Sequence, residues 1–278
     1  MRKNIFGVVL FLIGCLLSEI LFSIAIAFAF EFLKLNSFLK SEGVNTYFIG
    51  TLVTFLHLIF IVFYVYIFKR LSKLELDNYF IKYSIKNKTI LFLKGLVFGT
   101  VFILCIIGLR YAAGLVKEFH VNSTESQIVM ILFYFMGIGF SIFSEEIIFR
   151  RTLYMMFRNF AKSYWIAAVM TSITFSIFHL LRNVGLIDIL FYFLFSMLLC
   201  MLVENTKSIW IGAGLHHGWN YFSDGGQIFA LRYKNDWTDI LFAKGISLFA
   251  ILIVIAVYIY IMNSRRGLNQ KGEVSDVK

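Results

Sequence analysis

Apolar runs of membrane-crossing length follow one another along most of this 278-residue chain, and they decide what it can fold into. A hydrocarbon layer roughly 30 Å thick is crossed by about 20 residues of helix, and a helix satisfies its own backbone where no water is present. Eight such runs are visible: Ile5–Phe30, Tyr47–Phe68, Leu91–Leu109, Ile128–Phe149, Tyr164–Leu181, Ile187–Val203, Ile209–Phe222 and Asp239–Met262. The seventh is short and carries Gly212, Gly214 and Gly218, so the sequence supports seven or eight spans. With 60% hydrophobic residues and a mean hydropathy of +0.82, the chain needs lipid as its solvent. The expected fold is all-α, a polytopic transmembrane bundle making one domain over residues 1–278. The first run follows Arg2 and Lys3, is too long for a signal-peptide core and lacks a small-residue cleavage site, which predicts a retained helix. Pro is absent, so kinks must come from Ser, Thr, inserted water or the 19 glycines, the main candidates.

A net charge of +10 raises the question of a nucleic-acid partner, but the 26 Lys and Arg residues sit mostly between the apolar runs. That placement anchors and orients helices in an anionic membrane, and no nucleic-acid partner is expected. With the N-terminus inside, 17 basic residues fall on inner segments: Arg2 and Lys3, the Lys69–Lys88 stretch, Arg150 to Lys162, Lys207 and the tail from Arg265. Only 7 fall on outer segments, while Lys94 and Lys244 lie within spans. Both termini are therefore expected in the cytoplasm. The preference for Lys, Asn, Ile and Phe suggests an AT-rich bacterial genome, hence a bacterial cell membrane. Cys15, Cys105 and Cys200 all lie in apolar runs and read as small buried hydrophobes.

Charge inside a span is costly and asks for a partner or a purpose. Glu19 and His57 are isolated and read as helix-packing residues; Lys94 and Lys244 lie near span ends and can snorkel. The stretch Ser144-Glu145-Glu146-Ile147-Ile148-Phe149-Arg150-Arg151 differs, because two adjacent carboxylates end a long uncharged run. On a helix Glu146 and Arg150 are i and i+4 with the acid first, the better order for an ion pair, so Glu146 reads as structural. Glu145 points about 100° away and has no basic residue one turn from it. It is a candidate to take up and release a proton near neutral pH.

His179 ends the apolar stretch that begins at Tyr164. If the chain turns near Lys162, Glu145 and His179 lie equally far from the turn, about 25 Å along antiparallel helices. In Gly214-Leu215-His216-His217-Gly218-Trp219-Asn220, His216 and Asn220 share one helix face and present two hydrogen-bond donors to one point. His217 faces elsewhere and reads as a packing residue, able to substitute only if the Gly-rich helix is unwound.

Together the three motifs EExxxR at 145–150, FxxxH at 175–179 and HxxxN at 216–220, each in its own apolar run, resemble the CAAX-protease and bacteriocin-processing (CPBP, or Abi) family of intramembrane proteases. The resemblance covers roughly Ile128 to Phe222. It implies that Glu145 is the general base for water with His179 sharing the task, that His216 and Asn220 stabilise the oxyanion, and that Glu146 and Arg150 hold the site together. One departure is Arg151, where many relatives carry Gly. The family was long described as metalloproteases, so zinc held by Glu145, His179 and His216 is one implication; a related eukaryotic enzyme looks like a metal-independent glutamate protease, and no bound metal is the reading preferred here.

The expected activity is endopeptidase cleavage of a membrane-associated peptide or small membrane protein, in peptide maturation, bacteriocin processing or self-immunity. Two other readings stand beside it: a non-proteolytic membrane scaffold or regulator with the same fold, and a transporter, for which no inverted repeat is visible.

Overall fold

The structure is a computed structural model that describes residues 2–32, 44–72, 83–121, 125–180, 184–223, 229–233 and 238–275. It is a helical bundle, as the apolar runs require. Helix α1 is Arg2–Phe32, α2 is Val44–Ser72 and α3 is Ile85–Ala112. Helix α4, Glu125–Glu146, passes without a break into a π-helical stretch, Ile147–Leu153, and then α5, Tyr154–Ala161. Helix α6, Tyr164–Leu180, returns antiparallel, followed by α7, Leu186–Thr206, α8, Trp210–Phe222, and α9, Thr238–Ser275. A short antiparallel ribbon, β1 Val116–Val121 with β2 Phe229–Tyr233, links the loops at one end.

Among the described residues six helices are long and apolar enough to cross a membrane; α6, with 17 residues, and α8, with 13, are shorter. The weak seventh run is thus a real helix, the shortest of the apolar ones among the described residues after α5. The fourth run extends well past Phe149, giving a 34-residue rod from Ile128 to Ala161. The turn after it is at Lys162, which closes α5 in the left-handed conformation (φ 54°) with its N–H on the Arg158 carbonyl.

Glycine does a different job from the one expected of it. The irregular stretch Ile147–Leu153 contains no Gly; the Tyr154 N–H reaches back to the Phe149 carbonyl, and Thr152 Oγ1 donates to the Ile147 carbonyl at 2.9 Å, both spanning five residues. The glycines instead let α3 and α8 meet backbone to backbone. Gly95 and Gly99 on α3 face Gly214 and Gly218 on α8, a GxxxG pair on each helix. A Cβ at Gly95 would overlap the Ile211 carbonyl, at Gly99 the Leu215 carbonyl, at Gly214 that of Phe92 and at Gly218 that of Leu96. Backbone cannot swing aside as a side chain can. Gly99→Leu should therefore cost about 1–3 kcal/mol or more by overpacking and displace the helix that carries His216. Gly108→Leu, with nothing within 4 Å, is the control. Thermal unfolding of the two purified variants checks this, with only Gly99→Leu expected to melt earlier.

Two apolar clusters hold the bundle. One, around Phe11, Ile61, Leu153, Tyr154 and Phe175, joins α1, α2, α5 and α6; the other, around Ile103, Ile106, Leu199, Leu215 and Trp219, joins α3, α7 and α8. The isolated charges find partners across helices: His57 Nε2 lies 2.9 Å from Glu19 Oε1 between α1 and α2, and Lys244 pairs with Asp188 at 2.8 Å instead of only snorkelling.

Candidate active site

The polar motifs converge where these two clusters meet. Glu146 and Arg150 are both fully buried, with Arg150 Nη1 at 3.3 Å from Glu146 Oε1 across the junction between α4 and the π-helical stretch. The guanidinium lies over the Phe175 ring, 4.4 Å from its centroid, so the aromatic residue of the second motif covers the cation of the first. Six of the seven residues from Ile147 to Leu153 are buried, which leaves Arg150 no route to solvent.

The same carboxylate oxygen of Glu146 holds His216, whose Nδ1 lies 3.0 Å away. A carboxylate only accepts, so Nδ1 carries the proton and donates. The other ring nitrogen, Nε2, then faces Glu145 Oε2 at 3.9 Å. His216 thus stands between the two adjacent glutamates, and Glu145, with a side chain 17% exposed, is the more open of the pair. The His216 ring packs between Phe175 and Phe195, at 6.3 and 5.3 Å.

His179 also packs against Phe175, with ring centroids 4.3 Å apart. Its Nδ1 donates to the Phe175 carbonyl at 2.8 Å, which places the lone pair of the neutral ring on Nε2. Tyr192 of α7 packs against this imidazole as well, with ring centroids 4.2 Å apart. Nothing in the sequence marks Tyr192, one aromatic residue among many in its run. Asn220, one turn beyond His216 on α8, is half-buried and lines a cavity of about 230 Å³ together with Tyr192, Phe191 and Trp219.

His217 stays out of the site. It is buried beside Phe135 at 4.2 Å, with Phe92 and Tyr221 as further ring neighbours, and α8 is regular throughout, so it cannot replace His216. Among the described residues no three His, Cys, Asp or Glu side chains gather closely enough to hold a metal ion. Glu145, His179 and His216 do not form such a group.

Residues 124–222, the segment holding all six motif residues, match the family model described as Type II CAAX prenyl endopeptidase Rce1-like. This bears out the resemblance read from the three motifs over the same stretch. A search of curated proteins gave no match.

Proposed function

We propose that this protein is an intramembrane endopeptidase that uses Glu145 to activate water against a peptide bond of a membrane-associated peptide or small membrane protein. The observation that carries the reading is His216 set between adjacent carboxylates, 3.0 Å from Glu146 and 3.9 Å from Glu145, inside the segment that resembles a protease family. Two carboxylates and one guanidinium leave one negative charge buried, and a single proton shared by Glu145 and His216 neutralises it.

In the proposed reaction Glu145 removes a proton from water as the oxygen attacks the scissile carbonyl, with His179 sharing the task through its Nε2 lone pair. The carbonyl oxygen becomes an oxyanion, held by the Asn220 side-chain amide and by His216 Nε2–H in the charged ring. Glu146 keeps that ring oriented by accepting from Nδ1. The C–N bond then breaks as the proton taken from water passes to the leaving amine, giving a carboxylic acid and a free amine, and the acid then gives its proton to the amine or to water. Arg150 takes no part beyond holding Glu146.

Asn220→Ala is expected to leave accumulation in the membrane unchanged and to lower turnover about 10²–10³-fold, the loss that follows removal of one oxyanion donor. A rate near the wild type would remove Asn220 from the oxyanion site. The wider test compares the membrane and released peptides of cells with and without the protein by mass spectrometry. A protease leaves uncleaved precursors in the deletion strain, and complementation with Glu145→Gln does not clear them; a scaffold with the same fold would be restored by that variant.

A further inference from the structure

We infer that the cavity lined by Asn220 is the way into the site, that it opens on the extracytoplasmic face and that the peptide it takes has already been exported. The cavity walls combine Asn220, the one motif residue among them, with Tyr192 and Trp219, and Arg110, Asp188 and Lys244. Arg110 is in the last turn of α3 and Asp188 in the first turn of α7, so the charged part of the wall lies at the tips of the helices. The Lys244 and Asp188 side chains there are 39% and 21% exposed. An ion pair and a guanidinium at the helix tips suit a mouth that admits water, which a hydrolase inside a membrane requires.

Depth agrees with this. Helices α3 and α8 run side by side in the same direction, Gly95 against Ile211 and Gly99 against Leu215, with the Phe102 and Trp219 rings 5.3 Å apart. From the level of Phe102, about 15 Å of α3 leads to Ala112 and about 25 Å to Ile85. Asn220 is therefore nearer the Ala112 end, while His216, beside Leu215 and level with Gly99, lies midway, about 20 Å from either end of α3. A second cavity, about 310 Å³, lies at the opposite end among Tyr164, Trp165, Glu204 and Lys207, and none of the six motif residues lines it.

The Lys and Arg distribution says which end is which. The segments at the Ile85, Lys162 and Lys207 end carry the excess: without Arg150 and Arg151, which the structure places within the Ile128–Ala161 rod, 15 of the 17 basic residues remain there against 7. Such segments stay in the cytoplasm. The cavity mouth is therefore outside, and a translocation step has to deliver the scissile segment before it is cut. The delivery claim rests on the protease reading above; the direction of the mouth does not.

The test has two arms on the full-length protein in cells. In a Cys105→Ala background, Asp188→Cys and Lys244→Cys are labelled with a charged, membrane-impermeant maleimide, with Lys162→Cys as the opposite-face control. The native Cys15 and Cys200 are buried and Cys105 is exposed, hence the background. Labelling of the mouth cysteines in intact cells at least tenfold above Lys162→Cys, reversed in inverted vesicles, is expected; labelling of the mouth only in inverted vesicles overturns the inference. In the second arm, peptide termini lost in Glu145→Gln cells are mapped onto membrane proteins of known topology. Lost termini on extracytoplasmic segments support delivery by export, and lost termini on cytoplasmic segments overturn it. If no terminus is lost at all, the protease reading fails, while the maleimide result still decides the direction of the mouth.

Discussion

Arg150→Ala is expected to reduce the protein's accumulation in the membrane sharply and to abolish whatever activity remains. The substitution strands Glu146, whose carboxylate is fully buried and keeps His216, at 3.0 Å, as its polar partner among the described residues. Breaking a buried pair from one side costs about 3–5 kcal/mol in soluble proteins, because the remaining charge is left in a medium that cannot solvate it. Each 1.4 kcal/mol is about tenfold in the folded ratio, so the defect exceeds 10²-fold. The loss of the guanidinium from the Phe175 face, at 4.4 Å, leaves an unfilled volume in addition. Arg150→Lys should fall between, since it keeps the charge but not the flat group that stacks on the ring. Immunoblots of membranes and thermal unfolding of purified protein check this; wild-type abundance and melting in Arg150→Ala would show that the pair does not hold the site.

The pairing of Glu146 with Arg150 was legible because it is local: one helix turn and the sign of two charges define it. So was the common face of His216 and Asn220. The helical hairpin turning at Lys162 was legible too, from the equal distances to Glu145 and His179. What stayed hidden was every contact that depends on how helices cross. No helical period shows that Glu146 orients His216, 70 positions away, or that Arg150, His216 and His179 all pack around Phe175. The π-helical stretch was equally hidden, since Ile147–Leu153 holds no Gly and no Pro to announce it. Gly214 and Gly218 were visible but read as a weakness of the seventh run, whereas with Gly95 and Gly99 they seat that short helix against α3. The partner motif, also spaced by four, was in the sequence; what was missing was the knowledge that the two helices touch.

Glu145→Gln separates chemistry from support, because Glu146 and not Glu145 carries the pairing with Arg150. The amide keeps the size of the side chain, and Glu145 is the more exposed of the two acids, so abundance and thermal unfolding should match the wild type. What it loses is the base, and general base catalysis alone contributes about 10²–10⁴-fold. Glu146→Gln, by contrast, weakens both Arg150 and His216 and should lower stability and turnover together. The decisive measurement is the rate at which the purified full-length protein, reconstituted in liposomes, cleaves a defined substrate taken from the precursors that accumulate in its absence. A fall of at least about 10²-fold in Glu145→Gln, with an unchanged melting temperature, is the predicted result; cleavage at the wild-type rate would contradict the assignment of Glu145 as the base.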